Sequence, residues 1–319
     1  MARGAELGAK FALRRIFPGH QVERELTSAP GLDLGAAGLP QRWKRRQQHR
    51  KQNQCQHHFH YSAHYIASYN GRVKALAILI ALASFLAVIP AFAASPAEEF
   101  RTGAGVVKIT PIQHGSLTIE AGGQVIQVDP AVSGFGATAP DFGAVPKADV
   151  VLITDIHEDH LDPANLAKVR KAGTTVIIPG AASGDVRGGV VMKNGETRKI
   201  GAWTIEAVPM YNLKRGPAPG ELYHDKGRGN GYVVTYGGLR IYLAGDTEGI
   251  PEMRALKNID VAFVPMILPY TMPPAEAADA VKAFHPKVVY PYHYGKSDLK
   301  VFENGLRGAG IDVRIRNWY

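Results

Sequence analysis

Between Asp155 and His160 the chain sets Asp155, His157, Glu158, Asp159 and His160 directly after the apolar run Val150–Ile153. Carboxylates and imidazoles crowded at the end of a buried strand make a poor core, because a buried charge is costly unless paired or ligated. They make a good metal site, and the carboxyl ends of strands are where open sheets gather ligand-binding groups. Other residues of the same kind sit in comparable places. Asp246 follows Arg240–Ala244, with Gly245 allowing a sharp turn. His293 follows Val288–Tyr292, and His224 stands in a loop rich in Gly, Pro and charge, Asn212–Gly231. Asp129 closes Val125–Asp129, and His114 precedes Ser116–Glu120. The one other histidine beyond residue 93, His285, ends a helix and reads as a surface residue.

For such groups to meet, several strand ends must face the same way. Short strands are expected at Val106–Thr110, Ser116–Glu120, Val125–Asp129, Val150–Thr154 and Thr174–Ile178, with a hairpin at Ala121-Gly122-Gly123. Asp162 reads as the N-cap, and Pro163 as the first residue, of a helix reaching about Lys171. Gly188–Val208 reads as antiparallel strands, and Tyr232–Tyr236 with Leu239–Leu243 as a hairpin. Then come a strand at Val261–Pro265, a helix at Pro274–Phe284, a strand at Val288–Tyr290 and a helix at Asp298–Leu306 begun by Ser297. A β-rich half followed by a second half in the same order suggests two packed sheets with helices outside.

The series Asp155-x-His157-x-Asp159-His160, followed by His224, Asp246 and His293, resembles the metallo-β-lactamase superfamily, whose pattern is H-x-H-x-D-H, a later histidine, an aspartate after a strand and a final histidine. The resemblance covers about Val106 to Tyr319. Gln113-His114-Gly115-Ser116 and the stretch YTMPPAEAADA are most similar to its lactonase-like and N-acyl-phosphatidylethanolamine phospholipase-like branch. It implies an α+β, four-layer αββα sandwich and a site for two divalent metal ions, most often zinc. It also implies roles: Asp155, His157 and His224 would hold one ion, Asp159, His160 and His293 the other, and Asp246 would bridge them. Asp159 and His114 are the candidate catalytic residues, His114 either facing the leaving group or substrate without ligating or standing as a hydrogen-bonded core histidine. Asp129 looks like the family's early structural aspartate. Two cations about 3.5–4 Å apart can share a hydroxide at neutral pH and polarise a scissile group. Asp155 stands where most members carry histidine. A carboxylate still ligates zinc, but it is a harder donor and tilts the choice toward manganese or iron.

Charge and compartment complete the reading. The formal net charge is +9. The excess of Lys and Arg lies wholly before residue 94, and the rest of the chain is balanced, so no nucleic-acid partner is expected. The single cysteine, Cys55, also lies in that leader, leaving residues 94–319 without a thiolate ligand or nucleophile. Residues 1–72 include a polar Gln/His/Arg tract at Gln41–His60, expected to be disordered. Then Lys74, the uncharged run Ala75–Ile89, Pro90 and Ala91-Phe92-Ala93 follow the order of a secretory signal peptide, an uncleaved membrane anchor being the alternative. The expected organisation is a basic leader (1–72), or a segment upstream of a natural start near Val73, then a signal peptide (73–93) and one domain (94–319). The expectation is an exported, periplasmic or secreted, metal-dependent hydrolase of a small ester, lactone or phosphodiester. It would touch a membrane only through an uncleaved signal segment; oligomeric state is not legible. Two alternatives share the fold: an iron-dependent thiol or sulfur dioxygenase, and a non-catalytic metal-binding protein.

Overall fold

A computed structural model describes residues 96–134 and 139–319. The expected leader and signal peptide, residues 1–93, lie outside the described residues.

The first sheet opens with an antiparallel meander: β1 (Glu98–Thr102), β2 (Gly105–Gln113), β3 (Ser116–Ala121) and β4 (Gln124–Val128). The β3–β4 turn is Gly122-Gly123, both with φ above zero (57° and 74°), as a two-residue hairpin requires. The sheet then turns parallel. β5 (Ala148–Leu152) pairs with β4, β6 (Arg170–Ile178) with β5, and β7 (Val190–Val191) with β6. Between β5 and β6 runs α1 (Pro163–Val169), capped by Asp162, which accepts from the Ala164 amide at 2.8 Å. The second sheet repeats the plan. β8 (Thr197–Ile200), β9 (Trp203–Met210), β10 (Gly229–Tyr236) and β11 (Leu239–Leu243) are antiparallel; β12 (Val261–Pro265), β13 (Val288–Tyr292) and β14 (Asp312–Val313) continue in parallel. The parallel crossovers carry α2 (Pro251–Arg254), α3 (Pro274–Phe284) and α4 (Leu299–Gly305).

Strand alternation sorts the apolar residues into three layers of contact. Val150 and Leu152 face inward and meet Ile205, Tyr232, Leu243 and Phe263 of the other sheet. Val151 and Ile153 face outward against Leu166 and Val169 of α1. On the far side Tyr242, Ala262 and Val289 pack on Ala277, Val281 and Phe284 of α3, and on Phe302 of α4. The result is the expected αββα sandwich. Among the described residues, no helix is long and apolar enough to cross a membrane.

Some boundaries move for local reasons. The helix after Asp162 stops at Val169, not Lys171, because Arg170 already pairs with Ala148 in the sheet. The stretch 188–208 is not one antiparallel unit: β7 closes the first sheet in parallel, and only β8 and β9 are antiparallel. The last helix is capped by Asp298, which accepts from the Lys300 amide at 3.0 Å. Ser297, expected to begin it, turns its hydroxyl to the Met266 carbonyl instead.

Two glycines let the sheets close on each other beside the site. At Gly229 a Cβ would stand 2.8 Å from the Thr154 carbonyl oxygen, which accepts from the next amide, Asn230, at 2.9 Å. At Gly245, φ is 66° and a Cβ would meet Met210 Sδ of its own sheet at 2.6 Å and Thr154 Cβ, beyond β5 of the other sheet, at 3.1 Å.

Candidate metal centre

The polar residues singled out in the sequence fall at the ends of strands on one edge of the sandwich. Asp129 follows β4, Asp155 to His160 follow β5, Asp246 follows β11 and His293 follows β13. His114 sits in the β2–β3 turn, and His224 in the loop between β9 and β10. Three of these turns are made by non-glycine residues with positive φ: His114 (58°), Asp129 (42°) and His293 (46°). Each costs about 1 kcal/mol or more and persists only where the surroundings enforce it.

Three groups of donors gather within reach of a cation: Asp155, His157 and His224; His160, Asp246 and His293; and His114, Asp159 and His293. Asp246 stands between the first two. Its Oδ2 is 3.3 Å from His160 Nε2 and 3.4 Å from His224 Nε2, and its Oδ1 is 3.2 Å from His293 Nε2. That is the place the resemblance gives to a bridging aspartate. Asp159 Oδ2 lies 3.5 Å from His293 Nε2 and 3.1 Å from His114 Nε2.

The imidazoles are aimed from behind. His160 Nδ1 donates to Asp129 Oδ2 at 2.9 Å, and the same carboxylate accepts from the Thr154 amide at 2.8 Å and the Thr154 hydroxyl at 2.6 Å. His224 Nδ1 donates to Asn212 Oδ1 at 2.6 Å, while the Asn212 amide donates to the Tyr270 carbonyl at 2.9 Å and to Glu248 Oε1 at 3.2 Å. A histidine whose Nδ1–H is held by an acceptor presents its Nε2 lone pair outward, the arrangement of metal-ligating histidines. His160 Nε2, His224 Nε2, His293 Nε2, Asp155 Oδ1 and Asp246 Oδ1 are all buried and without a hydrogen-bond partner. Orphaned donors of this kind are rare in native interiors, and here all five face one small region. The donor set fits a divalent cation.

The electrostatics agree. Burial alone would raise the pKa of Asp246, yet His293 and His160 hold it well below the usual carboxylate range. Burial likewise opposes ionisation of Asp159, and His160 with His114 overcomes it. For Asp155, burial is outweighed by His157, and the pKa falls to about 2. Burial disfavours a charged His160, but Asp246, Asp159 and Asp129 push its pKa well above the ordinary value. A proton and a metal ion therefore compete for His160 Nε2, and an ensemble of ionised carboxylates this dense calls for cationic charge. Asp129 differs: burial is its largest influence and raises its pKa.

The residues around and beyond the cleft sort by position. Glu158 is exposed at the cleft mouth, Asp162 is the helix cap, and His285 caps α3 with its Nε2 2.8 Å from the Ala309 carbonyl. Tyr211 and Lys226 bond to Glu252, and Asn212 holds His224; none of the three lines the cleft. His114 is fully buried, with Nδ1 2.7 Å from the Tyr319 hydroxyl, and burial followed by the neighbouring His293 pushes its pKa down to about 4. It is placed behind Asp159 and does not line the cleft. Sequence reading missed Tyr319, Thr154 and Arg228. Arg228 Nη2 lies 3.0 Å from Asp155 Oδ2 and 2.6 Å from His157 Nε2. The only signal was the nearness of Arg228 to His224 in one long loop.

The donors open into a cleft of about 310 Å³ lined by His157, Asp159, Tyr223, His224, Tyr270 and His293, among others. Tyr223 and Tyr270 form an edge-on pair with centroids 5.2 Å apart.

Residues 108–293 match the Beta-lactamase superfamily domain. The chain is 32% identical over 197 residues to a UPF0173 metal-dependent hydrolase of Thermococcus kodakarensis, covering 59% of this chain and 85% of that one. Among solved structures, a protein described as a metal-dependent hydrolase from Parabacteroides distasonis is 44% identical, covers 70% of this chain and 98% of its own, and superimposes with a TM-score of 0.65. Igni18, a metallo hydrolase from Ignicoccus hospitalis, is 28% identical, covers 66% and 94%, and gives 0.56. With the sandwich, the donor set and these likenesses together, the chain belongs to the metallo-β-lactamase superfamily and is a metal-dependent hydrolase.

Proposed function

We propose that the protein is an exported hydrolase of neutral esters or lactones that works with two divalent ions, one held by Asp155, His157 and His224, the other by Asp159, His160 and His293, with Asp246 between them. The observation that carries this reading is the convergence of five buried, unpartnered donor atoms from separate strand ends. When bound, such ions supply Lewis-acid polarisation of the scissile group and a water acidified toward neutral pH. The chain's own residues supply the rest. Asp129 and Asn212 fix the two histidine tautomers. Asp159 is ionised and partly exposed in the cleft, where its carboxylate orients an attacking water; His114, neutral and buried, holds that carboxylate from behind and acts as a positioning residue.

Tyr223 and Tyr270 give the cleft an apolar, aromatic wall, and the described residues lining it include Glu158 but no lysine or arginine. The aromatic wall and the Glu158 carboxylate favour a neutral acyl substrate over a phosphodiester, whose charge would find no cationic side chain beside the metal ions among the described lining residues. Zinc suits the imidazoles best, and the carboxylate of Asp155 leaves room for manganese or iron. An oxidoreductase using iron is the second reading, favoured by that same carboxylate. Export rests on the signal-like order of residues 74–93.

The test is chelation of the purified protein, then add-back of Zn, Mn or Fe, with lactones, aryl esters and phosphodiesters as substrates. Activity should vanish on chelation, return with metal, and be greatest on the neutral acyl compounds. Turnover that survives complete metal removal would overturn the reading; oxygen uptake with iron would select the second one.

A further inference from the structure

The two metal positions differ in what already occupies their donors. Arg228 Nη2 can only donate, so His157 Nε2, 2.6 Å away, must be its acceptor. His157 Nδ1 lies 2.7 Å from Asp155 Oδ2 and therefore carries the proton. His157 is thus fixed as the Nδ1–H tautomer, the one in which neither ring nitrogen offers a free lone pair to an ion. The guanidinium also bonds Asp155 Oδ2 at 3.0 Å and the Tyr223 carbonyl at 2.7 Å. By contrast, every donor of the other position, His160 and His293 Nε2 and Asp246 Oδ1, is unpartnered, and no guanidinium or ammonium group bonds to them among the described residues; at the first position Asp155 Oδ1 and His224 Nε2 are unpartnered too, and His157 is the donor that Arg228 occupies.

We infer that Arg228 competes with the metal ion at the Asp155/His157/His224 position, so that this position fills after, and more weakly than, the one around His160, Asp246 and His293. To ligate through Nε2, His157 must first lose its bond to Arg228; to ligate through Nδ1, the atom facing Asp155, its proton must move to Nε2. In the second case the relocated N–H would confront the Arg228 N–H at the same 2.6 Å, donor against donor. Arg228 must swing away, giving up its bonds to Asp155 and His157, before the ion can take all three donors. The aspartate at position 155 is what makes this possible: a histidine there would give the guanidinium no carboxylate to hold. Arg228 is a positioning residue in this scheme, setting occupancy and not touching the reacting atoms.

The inference rests on the proposed metal site, and the experiment separates the two. Metal-free protein is titrated with Zn²⁺ against a chromophoric chelator, for the wild type, Arg228→Met and Arg228→Lys, with ¹⁵N NMR of the histidine rings in the metal-free wild type. Wild type should bind two equivalents in two steps. Arg228→Met should tighten the weaker step by about tenfold, the loss of a charge-assisted competitor, and leave the tighter step in place. Arg228→Lys should fall between them, since an ammonium cannot bridge both groups. The ring of His157 should show the Nδ1–H tautomer. Equal steps in the wild type, a weaker step that Arg228→Met leaves unchanged or loosens, or an Nε2–H tautomer would overturn the inference while leaving the metal site intact. No bound metal at all would overturn the site itself. If Arg228→Met does not fold, the lysine variant and the tautomer decide.

Discussion

Asp246→Ala is expected to lower turnover by at least about a thousandfold, or roughly 4 kcal/mol of transition-state stabilisation. It should also bring metal content below one equivalent. Among the described residues, this carboxylate is the one group within 3.5 Å of three Nε2 atoms, those of His160, His224 and His293. No other side chain in the cluster reaches both proposed positions, so the loss cannot be shared out to neighbours. Stability should change little in metal-free protein. Asp246 is fully buried and has one oxygen without a partner, so deleting it removes a desolvated charge. Its ion-pairing with His160 and His293 opposes this, which leaves a melting temperature near or slightly below that of metal-free wild type. Activity and metal content measured on one preparation, beside a thermal melt, check all three expectations. Near-wild-type turnover would remove Asp246 from the centre of the site.

Asp129 should show the reverse pattern. Its carboxylate is not aimed at the cleft, yet it binds His160 Nδ1 and both the amide and hydroxyl of Thr154. Asp129→Ala strands three buried donors, each worth about 1–3 kcal/mol unsatisfied, so a loss of about 3–5 kcal/mol is expected. In a domain of this size that is a fall of about 10 °C or more in melting temperature. Asp129→Asn keeps the shape and an acceptor for Thr154, and sheds the burial cost that raises the pKa of Asp129. It should therefore fold nearly as well, but a neutral amide holds the His160 ring less firmly. Metal affinity should drop about 10- to 100-fold, the usual effect of losing a carboxylate behind a ligating histidine. Calorimetry on both variants with zinc titration of the asparagine one separates the two roles. Equal zinc affinity in Asp129→Asn and wild type would show that Asp129 supports the fold alone.

The donors were legible in the sequence because each follows an apolar strand, and a strand that breaks into charge advertises its end. Val150–Ile153 leading into Asp155 and Val288–Tyr292 leading into His293 are the clearest cases. The helix Pro274–Phe284 and the strand Val261–Pro265 were legible in full, since a proline start and a bounded apolar run are local signals. Two-residue strands such as β7 and β14 carry no period, and their pairing in parallel depends on distant neighbours. The contacts that tune the site were hidden for the same reason. Arg228 meets Asp155 across 73 positions, and Tyr319 meets His114 across 205. Spacing along the chain says nothing about such pairs until the sheets are stacked. His114 shows the limit within one residue: its place in Gln113-His114-Gly115-Ser116 marked it as functional, but only the fold puts it behind Asp159 and away from the cleft.

The most direct measurement is anomalous X-ray diffraction at the zinc edge, from crystals of the full chain loaded with zinc. The expected result is a strong peak about 2.0–2.2 Å from His160 Nε2, His293 Nε2 and a carboxylate oxygen of Asp246. A second, weaker peak is expected beside Asp155 and His224. Crystals that take up zinc only at other residues, leaving the Asp246 cluster without an anomalous peak, would contradict it.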